Sequence, residues 1–302
     1  TMENIRNGIV KGKPYPNATS GAAVAIDVNT GKILALASEP RFDPNLFAAG
    51  ISSEDWKSLQ PKSKDVYAPK PLMNNAISSI LSPGSTMKLV SAVAGLESKV
   101  ITPSETIYDK GYYTAIPGVS PSCSIFKSTG IPHYSQNVSQ AIKNSCNYFF
   151  FEVGRRMGGE VFEEYAKKFG LGEKTGIELL SEYKGTVEGP TYKKDLFRRY
   201  LDNYLVNNLK INDKNVRDEI KGYLDNNPGE SKVRKRLKEL GINDSKAIER
   251  VWRYIRDSKY QPGDVLNATI GQGMNGVTPL QLANAVASIV NGGTRYKPYL
   301  VD

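Results

Sequence analysis

The chain has 302 residues, of which 39% are hydrophobic and 24% are charged. This composition is typical of a globular protein with a large enclosed core, and it excludes a small binding module and a disordered chain. The longest apolar stretches, near residues 89–96 and 282–290, are shorter than the ~20 residues that a membrane-spanning helix needs. The first residues have neither a basic start nor an apolar signal core, so we expect no export signal or anchor within this chain.

Most of the net charge of +9 lies in one segment of the chain. Residues 191–260 contain 18 Lys and Arg against 11 Asp and Glu, which contributes +7. The aromatic residues there do not interleave with the basic ones in a nucleic-acid-binding motif, so we predict solvated helical faces and no nucleic-acid partner. We interpret the segment as a helical insertion within one domain that covers residues 1–302.

The amino-terminal part predicts a β-hairpin. Residues 22–27 and 32–37 are strand-like, and the Val-Asn-Thr-Gly sequence between them has turn chemistry. The stretch from 40 to 76 is irregular apart from a short helix around 53–59. A sharp Pro-Gly turn then precedes a buried helix that starts at Ser85 and reaches Leu96.

Helices dominate the middle and end of the chain. Loop-like sequence over 103–136 is followed by three predicted helices, over 138–143, 148–157 and 159–169. Residues 265–270 are strand-like, and an amphipathic helix is predicted over 278–290. Strands and helices therefore mix in an α+β order.

Ser85 and Lys88 are the first candidates for catalysis. Their spacing places the hydroxyl and the amine on one face of the helix, one turn apart. The helix N-terminus offers N–H groups to a developing oxyanion, and a lysine that has lost its proton can act as the base for the serine. The same spacing occurs at 124–127 and 181–184, but we expect both of those matches to lie in loops.

A second polar element lies at 144–147 (Asn-Ser-Cys-Asn). If the backbone there is extended, Ser145 and Asn147 point to one side and Cys146 points to the other. The competing match at 135–137 (Ser-Gln-Asn) is better explained as a helix cap.

Together these motifs resemble the transpeptidase domain of class B penicillin-binding proteins. The landmarks are Val-Ala-Ile-Asp from 24, Pro-Gly-Ser-Thr-Met-Lys from 83, Asn-Ser-Cys-Asn from 144, and Gly-Gln-Gly from 271 with Thr-Pro-Leu-Gln-Leu-Ala from 278. They span nearly the whole chain in the family order. The resemblance implies a penicillin-binding/serine β-lactamase-like fold, in which a central antiparallel sheet is flanked by helices.

The resemblance also implies an activity and a role for each residue. The activity is that of a D,D-transpeptidase that cross-links peptidoglycan stem peptides and is acylated by β-lactams. Ser85 would be the nucleophile, Lys88 its base, Ser145 the proton relay and Asn147 a binding group for the substrate amide. The backbone N–H of Ser85 would be one oxyanion donor. A membrane-anchored parent protein on the outer face of the bacterial cytoplasmic membrane and a glycosyltransferase partner are implied in the same way.

The third motif of the family, Lys-Thr/Ser-Gly, is expected several dozen residues after the Gly-Gln-Gly turn and therefore beyond Asp302. We accordingly expect the sequence to be part of a longer protein. The Lys-Thr-Gly letters at 174–176 stand in the wrong place, and we interpret them as a structural turn.

Cys123, His133 and Cys146, which are all the Cys and His of the chain, fall within 24 residues. Two thiolates and an imidazole suit zinc, which needs a fourth ligand. The resemblance to relatives with a zinc site suggests Asp109 for that position, and we predict a structural zinc ion behind the Ser145 and Asn147 loop. A disulfide between the cysteines and a pair of ordinary buried thiols are the alternatives.

Two other functions fit the same motifs. A β-lactamase or D,D-carboxypeptidase of this fold would share the nucleophile, but no motif indicates the base that a β-lactamase needs for deacylation. A non-catalytic scaffold would not need all four polar residues.

Overall fold

The computed structural model describes residues 4–5, 7, 14–16, 18–61, 63, 65 and 68–301. Among them, no helix combines the length and the apolar character that crossing a membrane requires. The described residues form two units. One consists of residues from Thr1–Pro83, Ala166–Val187 and Met274–Asp302, and the other of Gly84–Tyr165 and Glu188–Gly273.

The described elements mix strands and helices, as the sequence predicts. The strands are β1 (Gly21–Ile26), β2 (Ile33–Glu39), β3 (Ile107–Asp109) and β4 (Tyr134–Gln136). The helices of the first half are α1 (Ser53–Leu59), α2 (Asn75–Ser78), α3 (Met87–Glu97), α4 (Ser124–Thr129), α5 (Val138–Lys143) and α6 (Asn147–Lys168). Those that follow are α7 (Pro190–Asn207), α8 (Lys214–Asn226), α9 (Glu230–Glu239), α10 (Ser245–Asp257), α11 (Pro262–Thr269) and α12 (Pro279–Val290).

The predicted hairpin is confirmed. Strands β1 and β2 pair antiparallel, with Gly21 opposite Glu39 and Ala25 opposite Ala35. At the turn, the N–H of Gly31 donates to the carbonyl of Asp27, and the φ of Gly31 is +84°, a conformation that glycine adopts without steric cost. The described part of this sheet has two strands, and β3 and β4 pair in a second one.

The helix predicted from Ser85 begins as a 3₁₀ turn over Gly84–Thr86 and continues as α3. Pro83 and the positive φ of Gly84, +55°, bend the chain into this turn. The first α-helical residues, Met87 and Lys88, are both buried. This turn therefore leaves Ser85 exposed at the mouth of a buried helix.

The helices predicted over 138–143 and 148–169 are confirmed. Asn137 caps α5, since its side chain accepts from the N–H of Gln140 and its own N–H donates to the Gln140 side chain. This confirms the interpretation of the 135–137 match as a cap. The two helices predicted after it, over 148–157 and 159–169, both lie in α6, which is broken between them at Gly158, whose φ of +78° and ψ of 168° are not helical.

The strand predicted over 265–270 is wrong, because residues 265–269 belong to α11 and Ile270 is its C-cap. Pro262 occupies the first turn, and the Asp264 carboxylate accepts from the N–H of Gln261 at 2.7 Å. Both are signals for a helix start. The apolar run is short and is buried on several sides, and such a run does not distinguish a buried helix from a strand by periodicity.

Residues 191–260 form most of α7 and all of α8, α9 and α10, so the predicted helices are present. These helices enclose a hydrophobic cluster of their own. Its buried members are Leu201, Leu205, Ile220, Leu224, Val233, Leu237, Ile248, Val251 and Ile255. The classification of the segment as an insertion stays a prediction.

Candidate active site

Ser85 and Lys88 meet as the spacing predicts. The Lys88 Nζ atom lies 3.2 Å from the Ser85 Oγ atom. Ser85 is exposed, whereas Lys88 is only 2% exposed. The pair thus combines an accessible hydroxyl with an amine that is shielded from water.

Ser145 and Asn147 lie at the same amine. Lys88 Nζ is 2.9 Å from the Ser145 Oγ, 2.7 Å from the Ser145 carbonyl oxygen and 2.6 Å from the Asn147 Oδ1. The Ser145 hydroxyl donates to the Ser85 hydroxyl at 2.9 Å. The four predicted residues therefore form one connected hydrogen-bond network.

The backbone of 144–147 differs from the extended conformation that we expected. It forms a turn between α5 and α6, and Ser145 has a positive φ of +52°. Cys146 is nevertheless fully buried and directed away from the Lys88 network, toward Asp109 and Cys123. As predicted, the side chains of Ser145 and Asn147 lie on one side of this segment and that of Cys146 lies on the other. The positive φ of Ser145 belongs to the turn that produces this arrangement.

Burial lowers the pKa of Lys88 from 10.5 to about 8. The physical cause is loss of hydration, which penalises the charged ammonium group. A substantial fraction of Lys88 is therefore neutral at mildly alkaline pH, and a neutral amine can accept the proton of the Ser85 hydroxyl.

A cavity of about 570 Å³ opens in front of this network. Its lining consists of Gly84, Ser85, Ser124, Ile125, Ser128, His133, Asn144, Ser145, Asn147, Ile270 and Gln272. Of these, only Ser85, Ser145 and Asn147 were predicted from the sequence as active-site residues, and His133 as a metal ligand; the others, including Ile125, Asn144 and Gln272, were not predicted. The Gly-Gln-Gly turn was a usable signal for Gln272, since the Gly84 N–H donates to the Gly271 carbonyl and holds that turn beside Ser85.

The competing motifs do not take part in the Lys88 network, although Ser124 of the first one lines the same cavity. The match at 124–127 is on α4 and not in a loop, which corrects our expectation. In the match at 181–184, the Ser181 carbonyl accepts a hydrogen bond from the Ser78 hydroxyl. In the Lys-Thr-Gly sequence at 174–176, Thr175 bonds through its N–H and its hydroxyl to Glu182, a structural contact.

The four residues predicted to bind metal converge behind the Ser145 loop. Their candidate ligand atoms all lie within 4.8 Å of one another. The Asp109 Oδ2 atom is 3.3 Å from the His133 Nδ1 atom, 3.5 Å from the Cys123 Sγ and 3.6 Å from the Cys146 Sγ. The two sulfurs are 3.7 Å apart, and both cysteines are free.

These separations fit a tetrahedral zinc site. With zinc bonds of about 2.0–2.3 Å, adjacent ligand atoms of a tetrahedron lie about 3.3–3.8 Å apart. The neighbouring groups support the ligands, because Gly111 donates its N–H to the second carboxylate oxygen of Asp109 and Tyr148 donates its N–H to the Cys123 sulfur. The residues present therefore fit the ion.

A hydrogen bond also couples the two thiols. It lowers the pKa of Cys123 to about 7 and, together with burial, raises the pKa of Cys146.

A comparison with protein families agrees with this geometry. The family model described as the penicillin-binding protein transpeptidase domain matches residues 21–302. The chain belongs to this family. The fold expected from the resemblance is accordingly confirmed.

Known members of the family resemble this penicillin-binding transpeptidase domain over nearly its whole length. The peptidoglycan D,D-transpeptidase MrdA of Acinetobacter baumannii is 31% identical over 93% of this chain, which spans 32% of that relative. The chain thus covers about a third of the length of this curated protein.

Solved structures give the same result for the fold. The Pseudomonas aeruginosa penicillin-binding protein PBP2 matches 99% of this chain with a TM-score of 0.67, and the match covers 51% of that chain at 24% identity. The penicillin G acyl-enzyme of penicillin-binding protein A from Mycobacterium tuberculosis matches 99% of this chain and 51% of that one, with a TM-score of 0.60 and 25% identity. The first of these likenesses shows the fold alone.

Proposed function

We propose that this penicillin-binding transpeptidase domain is the catalytic part of a peptidoglycan D,D-transpeptidase that cross-links stem peptides through a serine acyl-enzyme. The observation that carries the proposal is the buried amine of Lys88 in contact with both the Ser85 and the Ser145 hydroxyls. A metabolite-binding or scaffold protein would have no need to bury an amine against two hydroxyls.

In the first step, neutral Lys88 accepts the proton of the Ser85 hydroxyl while the Ser85 oxygen attacks a carbonyl carbon of the stem peptide. Negative charge develops on the carbonyl oxygen, and the N–H of Ser85 at the start of the 3₁₀ turn stabilises it. The leaving amine takes up a proton, which Ser145 passes on from Lys88. The product is an ester between Ser85 and the donor peptide.

In the second step, the amine of an acceptor peptide attacks this ester. Ser145 removes a proton from the attacking amine, and Ser85 recovers its proton from Lys88 by the reverse path. Asn147, whose side-chain oxygen is held by Lys88, presents its amide to the peptide backbone in the cavity. The new peptide bond is the cross-link.

Acylation by β-lactams follows from the same chemistry, since the lactam carbonyl takes the place of the peptide carbonyl. The penicillin G acyl-enzyme of the Mycobacterium tuberculosis relative supports this part of the proposal.

The test is the intact mass of the protein after incubation with penicillin, followed by peptide mapping. We expect a stable increase equal to one penicillin, located on Ser85. The Ser85→Ala variant should not be labelled. The control is Ser124→Ala, which alters the other Ser-x-x-Lys match that lines the cavity, and it should be labelled like the unchanged protein. Label on another residue would refute the proposal, and rapid loss of the label with hydrolysed penicillin in solution would indicate a β-lactamase.

We also propose that Asp109, Cys123, His133 and Cys146 bind a structural zinc ion. When bound, the ion supplies a rigid cross-link and no reaction step. It joins β3, the two ends of α4 and the turn that carries Ser145 and Asn147. The proposal is supported by the four separations of 3.3–3.7 Å, which match a tetrahedral site, and by the approach of all four ligand atoms to within 4.8 Å of one another.

Elemental analysis of purified protein tests whether zinc is bound. We expect about one zinc ion per chain, and a lower melting temperature after removal of the ion with a chelator. The Cys146→Ser variant is the matched control. It should melt at the temperature of the chelator-treated protein, whether or not the chelator is present. Absence of zinc, or unchanged melting of the Cys146→Ser variant, would contradict the proposal.

The partners and the location follow from the proposed activity. The substrates are peptidoglycan stem peptides, so the domain acts on the outer face of the bacterial cytoplasmic membrane within a membrane-anchored parent protein. The glycosyltransferase partner stays a prediction.

A further inference from the structure

In the helices of residues 191–260, the acidic and the basic side chains differ in how many have a partner. All 11 carboxylates of this fully described segment are engaged, either in ion pairs or, for Asp213 and Asp244, as helix caps. The segment has more cations than carboxylates, and within the described part of the chain several of its Lys and Arg side chains form no ion pair. The excess charge of the segment is therefore concentrated on particular helix faces.

One of these faces belongs to α10. Lys246, Arg250 and Arg253 follow one another at spacings of four and three residues, which places them on one side of the helix. All three are exposed, and within the described residues none of them forms an ion pair. The opposite side of α10, which includes Ile248 and Val251, is buried in the cluster of the four helices.

Aromatic rings adjoin this basic face. The Arg250 guanidinium lies 5.9 Å from the ring centroids of both Tyr204 and Tyr254. Tyr200 on α7 is 47% exposed, and its ring centroid is 6.4 Å from that of Tyr254. We define the tyrosine–arginine surface as Tyr200, Tyr204, Arg250, Arg253 and Tyr254.

We propose that the tyrosine–arginine surface binds the peptidoglycan strand, outside the cavity in which the chemistry takes place. This proposal rests on the proposed function, because that function defines the polymer. The strand offers two chemical groups that match the surface. Its sugar rings have apolar faces that stack on tyrosine, and its stem peptides carry carboxylates that pair with arginine.

The composition of the surface favours this polymer over a lipid bilayer. A helix that lies in a membrane presents large aliphatic side chains or Trp on the face opposite its basic residues. The face of α10 opposite its basic residues is instead buried inside the protein. The exposed ring is that of Tyr200, with Tyr204 and Tyr254 partly buried beside it, and tyrosine hydroxyls favour a wet, polar ligand. Tyr and Arg are also the residues that most often carry binding energy at interfaces.

The test is cosedimentation of the protein with purified peptidoglycan sacculi over a range of salt concentrations. The protein is first acylated with penicillin, so that the cavity at Ser85 is blocked and the acylation itself reports on the proposed function. Three proteins are compared with the unchanged one. They are Arg250→Glu/Arg253→Glu, Tyr200→Ala, and the control Lys232→Glu/Lys235→Glu, which makes the same change of charge at exposed residues of α9.

We expect the Arg250→Glu/Arg253→Glu protein to bind sacculi about tenfold or more weakly, and Tyr200→Ala to be weakened as well. The control should stay within about twofold of the unchanged protein. Melting temperature and penicillin labelling of each variant show that it is folded. Tyr200→Ala shortens an exposed side chain and should leave the fold intact. It therefore still tests the surface if the Arg250→Glu/Arg253→Glu protein does not fold.

Three results would overturn the proposal. The first is that the control Lys232→Glu/Lys235→Glu weakens binding to sacculi equally, which would mean that binding depends on net charge and not on this surface. The second is full binding by both surface variants. The third is binding to vesicles of phosphatidylglycerol without binding to sacculi. If penicillin does not acylate Ser85 at all, the proposed function is wrong. The sacculus assay on unlabelled protein then still shows whether the tyrosine–arginine surface binds peptidoglycan.

Discussion

Lys88 shows how one residue acquires a function from its surroundings. In water its amine would be charged at neutral pH and would be a poor base. In the structure it is buried, and its nitrogen faces the hydroxyls of Ser85 and Ser145 and the side-chain oxygen of Asn147. These oxygens bond to the ammonium form, but loss of hydration dominates and shifts the pKa downward.

This shift predicts the pH dependence of acylation. The reactive form has neutral Lys88, so the rate of acylation by penicillin should rise with pH and level off above about 8, the pKa of Lys88. The sign follows from burial, because a lysine whose pKa is lowered loses its proton at a lower pH than it would in water. Stopped-flow acylation between about pH 6 and pH 10 measures this.

Two results would contradict the role of Lys88. One is a rate independent of pH over this range, and the other is a midpoint near 10.5, the value of an unburied lysine. Lys143, an exposed lysine on α5, provides the control. Lys143→Ala should keep the pH profile, because its amine does not lie in the Lys88 network.

At the scale of elements, the nucleophile is placed by a close contact between two turns. Gly271 has a φ of +71°, and a Cβ atom there would overlap the backbone of Gly84, the residue before Ser85. The Gly84 N–H donates to the Gly271 carbonyl at 3.0 Å. The Gly-Gln-Gly turn therefore sets the position of the 3₁₀ turn that carries Ser85.

Gly271→Ala should accordingly damage both stability and reactivity. The strained φ alone costs about 1–3 kcal/mol, and displacement of the Ser85 turn should slow acylation by about tenfold or more. Chemical unfolding and the rate of penicillin labelling measure the two effects.

Gly222→Ala is the matched control. Gly222 lies within helix α8 and has nothing within 4 Å of the added Cβ. Alanine is the better helix former, so this variant should be more stable by about 0.5–1 kcal/mol and should be labelled at the usual rate. Equal labelling of the two variants would mean that the contact between Gly271 and Gly84 does not position the nucleophile.

The proposed metal site is a second feature at this scale, because its candidate ligands come from several elements. Asp109 ends β3, Cys123 precedes α4, His133 follows it, and Cys146 precedes α6. Candidate ligands therefore flank helix α4 on both sides along the chain, and its residues Ser124, Ile125 and Ser128 line the cavity. An ion bound there would fix one wall of the cavity together with the turn that carries Ser145 and Asn147.

At the scale of the whole molecule, the chain has more than one hydrophobic core. Residues 191–260 contribute to a cluster that their helices form among themselves. A separate cluster contains Ile33, Ala76, Ile77, Ile177 and Leu280. The excess positive charge lies on the outside of the first cluster, so charge and catalytic chemistry occupy different parts of the chain.

The sequence alone predicted the family, the hairpin, most helices and two sets of four residues, which the structure brings together as the Lys88 network and the candidate metal ligands. These depend on local signals, such as turn residues, helix caps and the spacing of Ser85 and Lys88, which act over a few residues. It failed at residues 265–270, because a short run that is buried on several sides has no periodicity from which helix and strand can be distinguished.

How these residues combine depends on the tertiary structure. The approach of Lys88 to Ser145 and Asn147, 57 and 59 residues further along the chain, depends on long-range packing of buried helices. The pKa of Lys88, the turn at Ser145 and the joining of α7 and α10 in the tyrosine–arginine surface depend on the same packing. Burial and contact distance are properties of the folded chain, and residue order alone does not specify them.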